Sequence, residues 1–224
     1  MKFFRYIFII TVFFSSCKKD DNQILYGYQC YPMEEGRYVI YNVVDIFHDL
    51  ALVPAHDTNY YQIKEVIGEE ELDGEGEAYR KLYRYHRSND TLAWVIQDVW
   101  TVKNTGSSLE TLEENKRRIS MAFSISYDQT WNYNALNEDD ALAAYYDNIY
   151  IPITMGDLSY DSSVVVEIED VLTYIEYKRQ YDIYATNVGR IYSAKKDLQI
   201  TDTDTLSIQK GSEIFYTAVG FGIE

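Results

Sequence analysis

Three histidines, two cysteines and a surplus of carboxylates are the residues from which this chain could build a reactive centre. His48 and His56 lie eight residues apart, each followed by an aspartate, Asp49 and Asp57. Zinc sites use histidines one helical turn apart or tight Cys/His clusters, so a spacing of eight in a loop reads as surface. Asp73-Gly74-Glu75-Gly76-Glu77 alternates carboxylates in the manner of a calcium loop. An EF-hand frame starting at Asp73 puts Ala78 where glycine is needed and Arg84 where the bidentate glutamate is needed, so the stretch reads as a solvated turn. There is no Gly-x-Ser-x-Gly elbow, no phosphate-cradling glycine loop and no Cys-x-x-Cys. With 36 acidic residues, spacing alone cannot single out a carboxylate pair for glycoside hydrolysis. Trp131 and Tyr133, in a polar stretch, offer aromatic faces on which a sugar could stack; folding back over the core is the competing role. No catalytic residue, metal or cofactor is expected.

The elements that would position these residues are strands. The chain holds 23 Tyr, 9 Phe and 3 Trp against only 3 Pro, and aromatic and β-branched residues recur with period-two alternation. Strands are predicted over 37–46, 60–67, 78–87, 92–103, 109–113, 118–127, 164–169, 189–194 and 213–219. Loops or turns are predicted over 48–58, 68–76, 88–90, 104–107, 128–134 and 201–205. The stretch 118–127 alternates most strictly, with Ile119, Met121, Phe123, Ile125 and Tyr127 on one face. Asn137 before Glu138, Asp139 and Asp140 reads as the start of a short helix over 138–146. Thr173–Tyr184 reads as strand or helix, because Leu172, Ile175 and Arg179 also match a helical face. The expectation is an all-β, or β-rich, single domain with one short helix at most and 9–12 strands. Its architecture is a meandering antiparallel sheet, a curved half-barrel or something barrel-like.

The N-terminus carries a different signal. Lys2 and Arg5 precede the uncharged run Tyr6–Phe14, then small Ser15 and Ser16, then Cys17. A basic start, a short apolar run and a small-residue cleavage site make a secretory signal, too short to span a bilayer as a mature helix. Residues 1–16 are expected to be removed, 17–25 to form an N-terminal tether, and 26–224 to fold as one domain. Removing Lys2 and Arg5 leaves 18 basic against 36 acidic residues, a net charge of −18. Such a surface repels phosphate backbones, so nucleic acid is excluded as a partner.

Phe14-Ser15-Ser16-Cys17 resembles a bacterial lipobox, with Phe where leucine is usual. The resemblance implies a lipidated Cys17 and a membrane anchor through its acyl chains. Lys18-Lys19-Asp20-Asp21 resembles the export signal of Bacteroidetes-type surface lipoproteins, which implies an outer-membrane protein displayed at the cell surface. With Cys17 acylated, Cys30 has no disulfide partner and reads as a buried small side chain. Tyr31-Pro32-Met33-Glu34-Glu35-Gly36-Arg37-Tyr38 and Tyr184-Ala185 with Val188-Gly189-Arg190-Ile191-Tyr192 are similar to the opening and closing motifs of uncharacterised lipoproteins of that group. Asp90-Thr91-Leu92 and Asp204-Thr205-Leu206 resemble its O-glycosylation sites, at Thr91 and Thr205. The expected function is non-catalytic binding of a glycan, a peptide or a partner protein. A carrier of a lipid or other apolar ligand in a curved sheet is second, and a hydrolase third.

Overall fold

The computed structural model describes residues 26–224. The signal segment, Cys17 and Lys18-Lys19-Asp20-Asp21 lie outside the described residues. A 3-10 turn, Tyr28–Cys30, is followed by twelve strands: β1 (Arg37–Asp49), β2 (His56–Leu72), β3 (Ala78–Arg87), β4 (Val95–Asn104), β5 (Ser108–Glu113), β6 (Lys116–Ala122), β7 (Thr130–Asn132), β8 (Ala143–Met155), β9 (Leu158–Leu172), β10 (Glu176–Ala185), β11 (Gly189–Thr201) and β12 (Asp204–Ile223). All twelve belong to one antiparallel sheet of order β6-β5-β4-β3-β2-β1-β12-β11-β10-β9-β8-β7. Apart from β6 and β7, every strand lies beside its sequence neighbour, and β12 returns to pair with β1 from Arg37↔Ile223 to Asp49↔Lys210.

The sheet curls until its two edges meet. The Ile119 N–H donates to the Tyr133 carbonyl at 3.0 Å, and the Trp131 indole Nε1 donates to the Ile119 carbonyl at 2.8 Å. The result is a nearly closed barrel with its seam in the middle of the chain, which shields the exposed edges an open sheet would leave. Register shifts at Ile40/Tyr41, Arg84/Tyr85, Leu109/Glu110 and Ile183/Tyr184 supply the curvature, since each extra residue bends and twists its strand.

Because the strands alternate in direction, the odd-to-even hairpins (β1–β2, β3–β4, β5–β6, β7–β8, β9–β10, β11–β12) crowd one end of the barrel. The other end is closed by the 3-10 turn. Tyr28 OH bonds the Gly106 carbonyl at 2.8 Å, the Asn187 N–H bonds the Gln29 carbonyl at 2.7 Å, and Cys30 is fully buried. Gly27 makes the entry possible: its φ is 98°, and a Cβ there would lie 2.4 Å from Ile125 Cδ1. Beneath this lid Ile67, Leu82, Val102, Leu109, Met121, Tyr146, Val164, Val166 and Tyr184 converge from β2–β6 and β8–β10. Each such side chain contributes roughly 1.5–3 kcal/mol of burial. A second cluster gathers Val39, Tyr41, Val43, Ile63, Ile191 and Ala218.

Three local expectations are corrected, and the strand alternative holds over most of Thr173–Tyr184. No helix forms over 138–146: the Asp139 N–H bonds Asn137 Oδ1 at 2.9 Å in a side-chain turn, and buried Ala144 and Tyr146 alternate within β8. Thr173–Tyr184 is a turn followed by β10, with Thr173 Oγ1 accepting from the Ile175 and Glu176 N–H groups. The strand expected over 118–127 ends at Ala122, because its only ladder partner, β5, is six residues long and Ser108↔Ala122 is their last pair. The charged 68–76 stretch is strand as far as Leu72, its Glu69 and Glu71 paired with Lys81 on β3.

Candidate functional site

The hairpin end of the barrel is polar, and its organisation starts from Glu65. On β2, Glu65 follows Ile63 at core parity and is 5% exposed. Arg84 stands directly opposite on β3, its Nε 3.1 Å from Glu65 Oε1. Arg190 reaches the same carboxylate from β11, at 3.0 and 3.3 Å. Tyr41 OH lies 3.3 Å from Glu65 Oε2 and donates to the Arg190 carbonyl at 2.8 Å. The Arg84 guanidinium also lies 3.7 Å above the Trp100 ring, with Asp98 and Tyr216 OH each at 3.5 Å. Burial opposes the charge on both arginines. That penalty is the largest single effect, but Glu65 together with Tyr216 beside Arg84, and with Asp182, Tyr41 and Glu113 around Arg190, outweighs it, so both pKa values stand above the ordinary arginine range.

Arg84 shares Glu65 with Arg190 and has Asp98 as a second partner, whereas Arg190 has Asp182 nearby to balance the rest of its charge. Asp182 lies on β10, is 4% exposed and acts on Arg190 electrostatically. Its Oδ2 accepts from Tyr184 OH at 3.2 Å, while its Oδ1 has no hydrogen-bond partner. A buried acceptor left unmade is costly. Across the mouth, Glu113 on β5 accepts from Arg118 on β6 at 3.1 Å, and Arg118 lies over the Tyr133 ring. Burial pushes the Glu113 carboxyl above its ordinary value. Trp100 Nε1 donates to Glu114 at 3.4 Å. Arg84, Arg190, Asp182 and the residues across the mouth, with Gln180, Ser193, Lys195, Ile214 and Tyr216, border a cavity of about 240 Å³, and Glu65 lies behind this lining. Glu114 and Lys195 are exposed at its entrance. Its lining offers donors, acceptors and aromatic surface within one small volume.

The residues singled out in the sequence fall elsewhere or at its margin. Trp131 sits in β7, its indole spent on the seam and its ring 4.9 Å from Tyr146. Tyr133 is packed in the core and shows one side to the cavity. Thr91 is exposed in the β3–β4 connection, bonded to Asn89, and Thr205 is half-buried in β12. His48 and His56 are cross-strand partners rather than loop residues, with Nδ1 atoms 2.8 Å apart; His48 Nε2 lies 3.1 Å from Glu213, which also pairs with Lys196 at 2.6 Å. His86 packs against Tyr61. The Asp73 carboxylate is taken up by the Glu75 and Glu77 N–H groups and by Lys103. Among the described residues no group of three or more His, Cys, Asp or Glu side chains is placed to hold a metal ion. Cys30 is a free thiol whose pKa burial raises to about 11.

Glu65, Arg84, Asp182 and Arg190 escaped sequence reasoning. Their signal was parity: Glu65 shares a face with Ile63 and Ile67, and Arg84 with Leu82. No family model matches the chain, and no curated protein sequence is significantly similar to it.

Proposed function

We propose that this is a lipid-anchored envelope protein that binds a small polar ligand in the charged mouth of its barrel. The observation that carries this reading is the cavity itself, lined by ion-paired and aromatic side chains and bordered by Asp182, one of whose carboxylate oxygens is buried with no partner. Pockets of this kind use a few placed polar groups to fix orientation. The anchor belongs to the same reading. Residues 1–16 are removed, Cys17 is acylated, and the chain enters the body at the closed end of the barrel, so the mouth faces away from the membrane. The carrier alternative is weaker, because the apolar interior is filled by packed side chains and lidded by Tyr28–Cys30.

The test is native mass spectrometry of the full-length protein taken gently from its own envelope. A polar adduct of small mass, lost in Asp182→Asn, is expected. An adduct beyond the protein's own anchor that resolves to a lipid would overturn the reading in favour of the carrier. Glu113, with its carboxyl raised by burial in the same cavity, favours one further reading, hydrolysis of a glycosidic bond with Glu113 as the acid. Release of new reducing ends from an added oligosaccharide would bring that reading forward.

A further inference from the structure

We infer that the ligand of the mouth is an uncharged sugar ring, an inference that rests on the binding reading above. Charge around the cavity alternates from strand to strand. Glu65 on β2 is followed by Arg84 on β3, Glu113 on β5 by Arg118 on β6, and Asp182 on β10 by Arg190 on β11. Lys195 and Glu114 at the entrance continue the balance. The lining itself sets four cations, Arg84, Arg118, Arg190 and Lys195, against Glu113, Glu114 and Asp182, and buried Glu65 behind Arg84 and Arg190 supplies the fourth carboxylate, so opposite charges are neighbours. An anion finds no uncompensated positive patch here, and a zwitterion finds no separated poles along which to align. A neutral polyol suits such a lining, because every hydroxyl both donates and accepts. Charged partners make these hydrogen bonds stronger than neutral ones.

Asp182 makes the demand specific. It borders the cavity with one carboxylate oxygen buried and unpaired, and a turn of that carboxylate toward the cavity would let a ligand hydroxyl, a donor that brings no charge, satisfy it. The sugar's C–H face needs an aromatic wall, and Trp100, Tyr133 and Tyr216 border the cavity. A volume of about 240 Å³ is below the range of drug-sized pockets, so it fits a single ring, at the end of a chain or as a monosaccharide. The acidic surface, with a formal net charge of −16, would further oppose an anionic sugar on approach.

The experiment is calorimetric titration of the full-length protein in detergent with three probe sets: neutral hexoses and their short oligomers, sialic acid, and glycine betaine. A neutral sugar should bind at one site, and its affinity should change less than about twofold between about 50 and 500 mM salt. Asp182→Asn replaces an acceptor by a donor at the same size and should weaken that binding by roughly tenfold or more. A melting curve close to that of the unchanged protein would show that the variant is folded. Binding of sialic acid or betaine in preference, lost in Asp182→Asn, would overturn the sugar inference and leave the polar-ligand reading standing. Binding of no probe, or sugar binding indifferent to Asp182→Asn, would overturn the sugar inference; in the first case the binding reading falls with it.

Discussion

Glu65 is the residue on which the mouth depends. It is the shared counterion of two guanidiniums, one of them stacked on Trp100 and one crossing the barrel from β11. Removing one partner of a buried pair leaves an uncompensated charge, so Glu65→Ala should cost about 3–5 kcal/mol in denaturant unfolding. A loss below about 1 kcal/mol would mean that both arginines reach water, as in a surface pair. Glu113 behaves in the opposite sense. Its folded-state pKa is raised, with burial as the largest cause. A raised carboxyl contributes stability that is complete below the unfolded-state pKa and is lost as pH rises through the folded-state value. Glu113→Gln should therefore melt above the unchanged protein at neutral pH, and the gap should close below about pH 4.3. A gap that persists in acid would assign the effect to something other than titration. Cys30 gives a third residue-level test. With its thiol raised to about 11 and no exposed surface, it should resist iodoacetamide at neutral pH until denaturant is added. Rapid labelling of the folded protein would show that the lid over the core opens freely.

At the scale of elements, the seam between β6 and β7 is the weakest junction of the barrel. β7 has only three residues, and its direct contacts with β6 are the Ile119 amide and the Trp131 indole, supported from β8 and the β7–β8 connection by Tyr146 OH on the Ala122 carbonyl and Asn137 on the Arg117 carbonyl. Trp131→Phe keeps the aromatic packing against Tyr146 and deletes the N–H donor, leaving the Ile119 carbonyl short of a partner. A cost of about 1–2 kcal/mol is expected, with faster amide exchange concentrated at β6 and β7 and the β1–β12 ladder unchanged. Exchange that rises uniformly would make the seam no weaker than the other ladders. The same elements show what the sequence could and could not convey. Alternation marked the strands, because period two is imposed by each strand's own two faces. It overshot at 118–127, because where a strand ends depends on the length of its partner, here β5. It also hid the site. Glu65, Arg84 and Asp182 occupy core parity, and a charge at such a position reads as noise until the other side of the barrel supplies its counterion. Trp131 and Tyr133 looked like ligand platforms because their stretch is polar; nothing local disclosed that Ile119 would take the indole N–H.

At the scale of the whole molecule, the closing of β12 onto β1 puts the chain's entry and the Glu224 end together at the closed end, where the Glu224 N–H bonds the Gly36 carbonyl at 2.9 Å. Under the anchoring proposed above, attachment through Cys17 would turn the mouth away from the membrane. The acidic body would favour the same posture under that proposal, since a net charge of −18, 18 basic against 36 acidic residues once Lys2 and Arg5 are removed, is repelled by anionic headgroups. In the body, Lys64, Lys81, Lys103, Arg84 and Arg190 are tied into ion pairs. Lys18 and Lys19 precede all of these in the sequence, directly after the proposed anchor at Cys17. Trypsin added to intact cells should therefore cut first after Lys18 or Lys19 and release the barrel whole, a single fragment that still binds the mouth's ligand. Cys17→Ser should give a protein recovered in the soluble fraction without any protease. Full protection of intact cells, with cleavage only after lysis, would place the barrel on the inner face of the outer membrane and overturn surface display. Early cuts within the hairpins would mean that the barrel, rather than the tether, is the first segment to open.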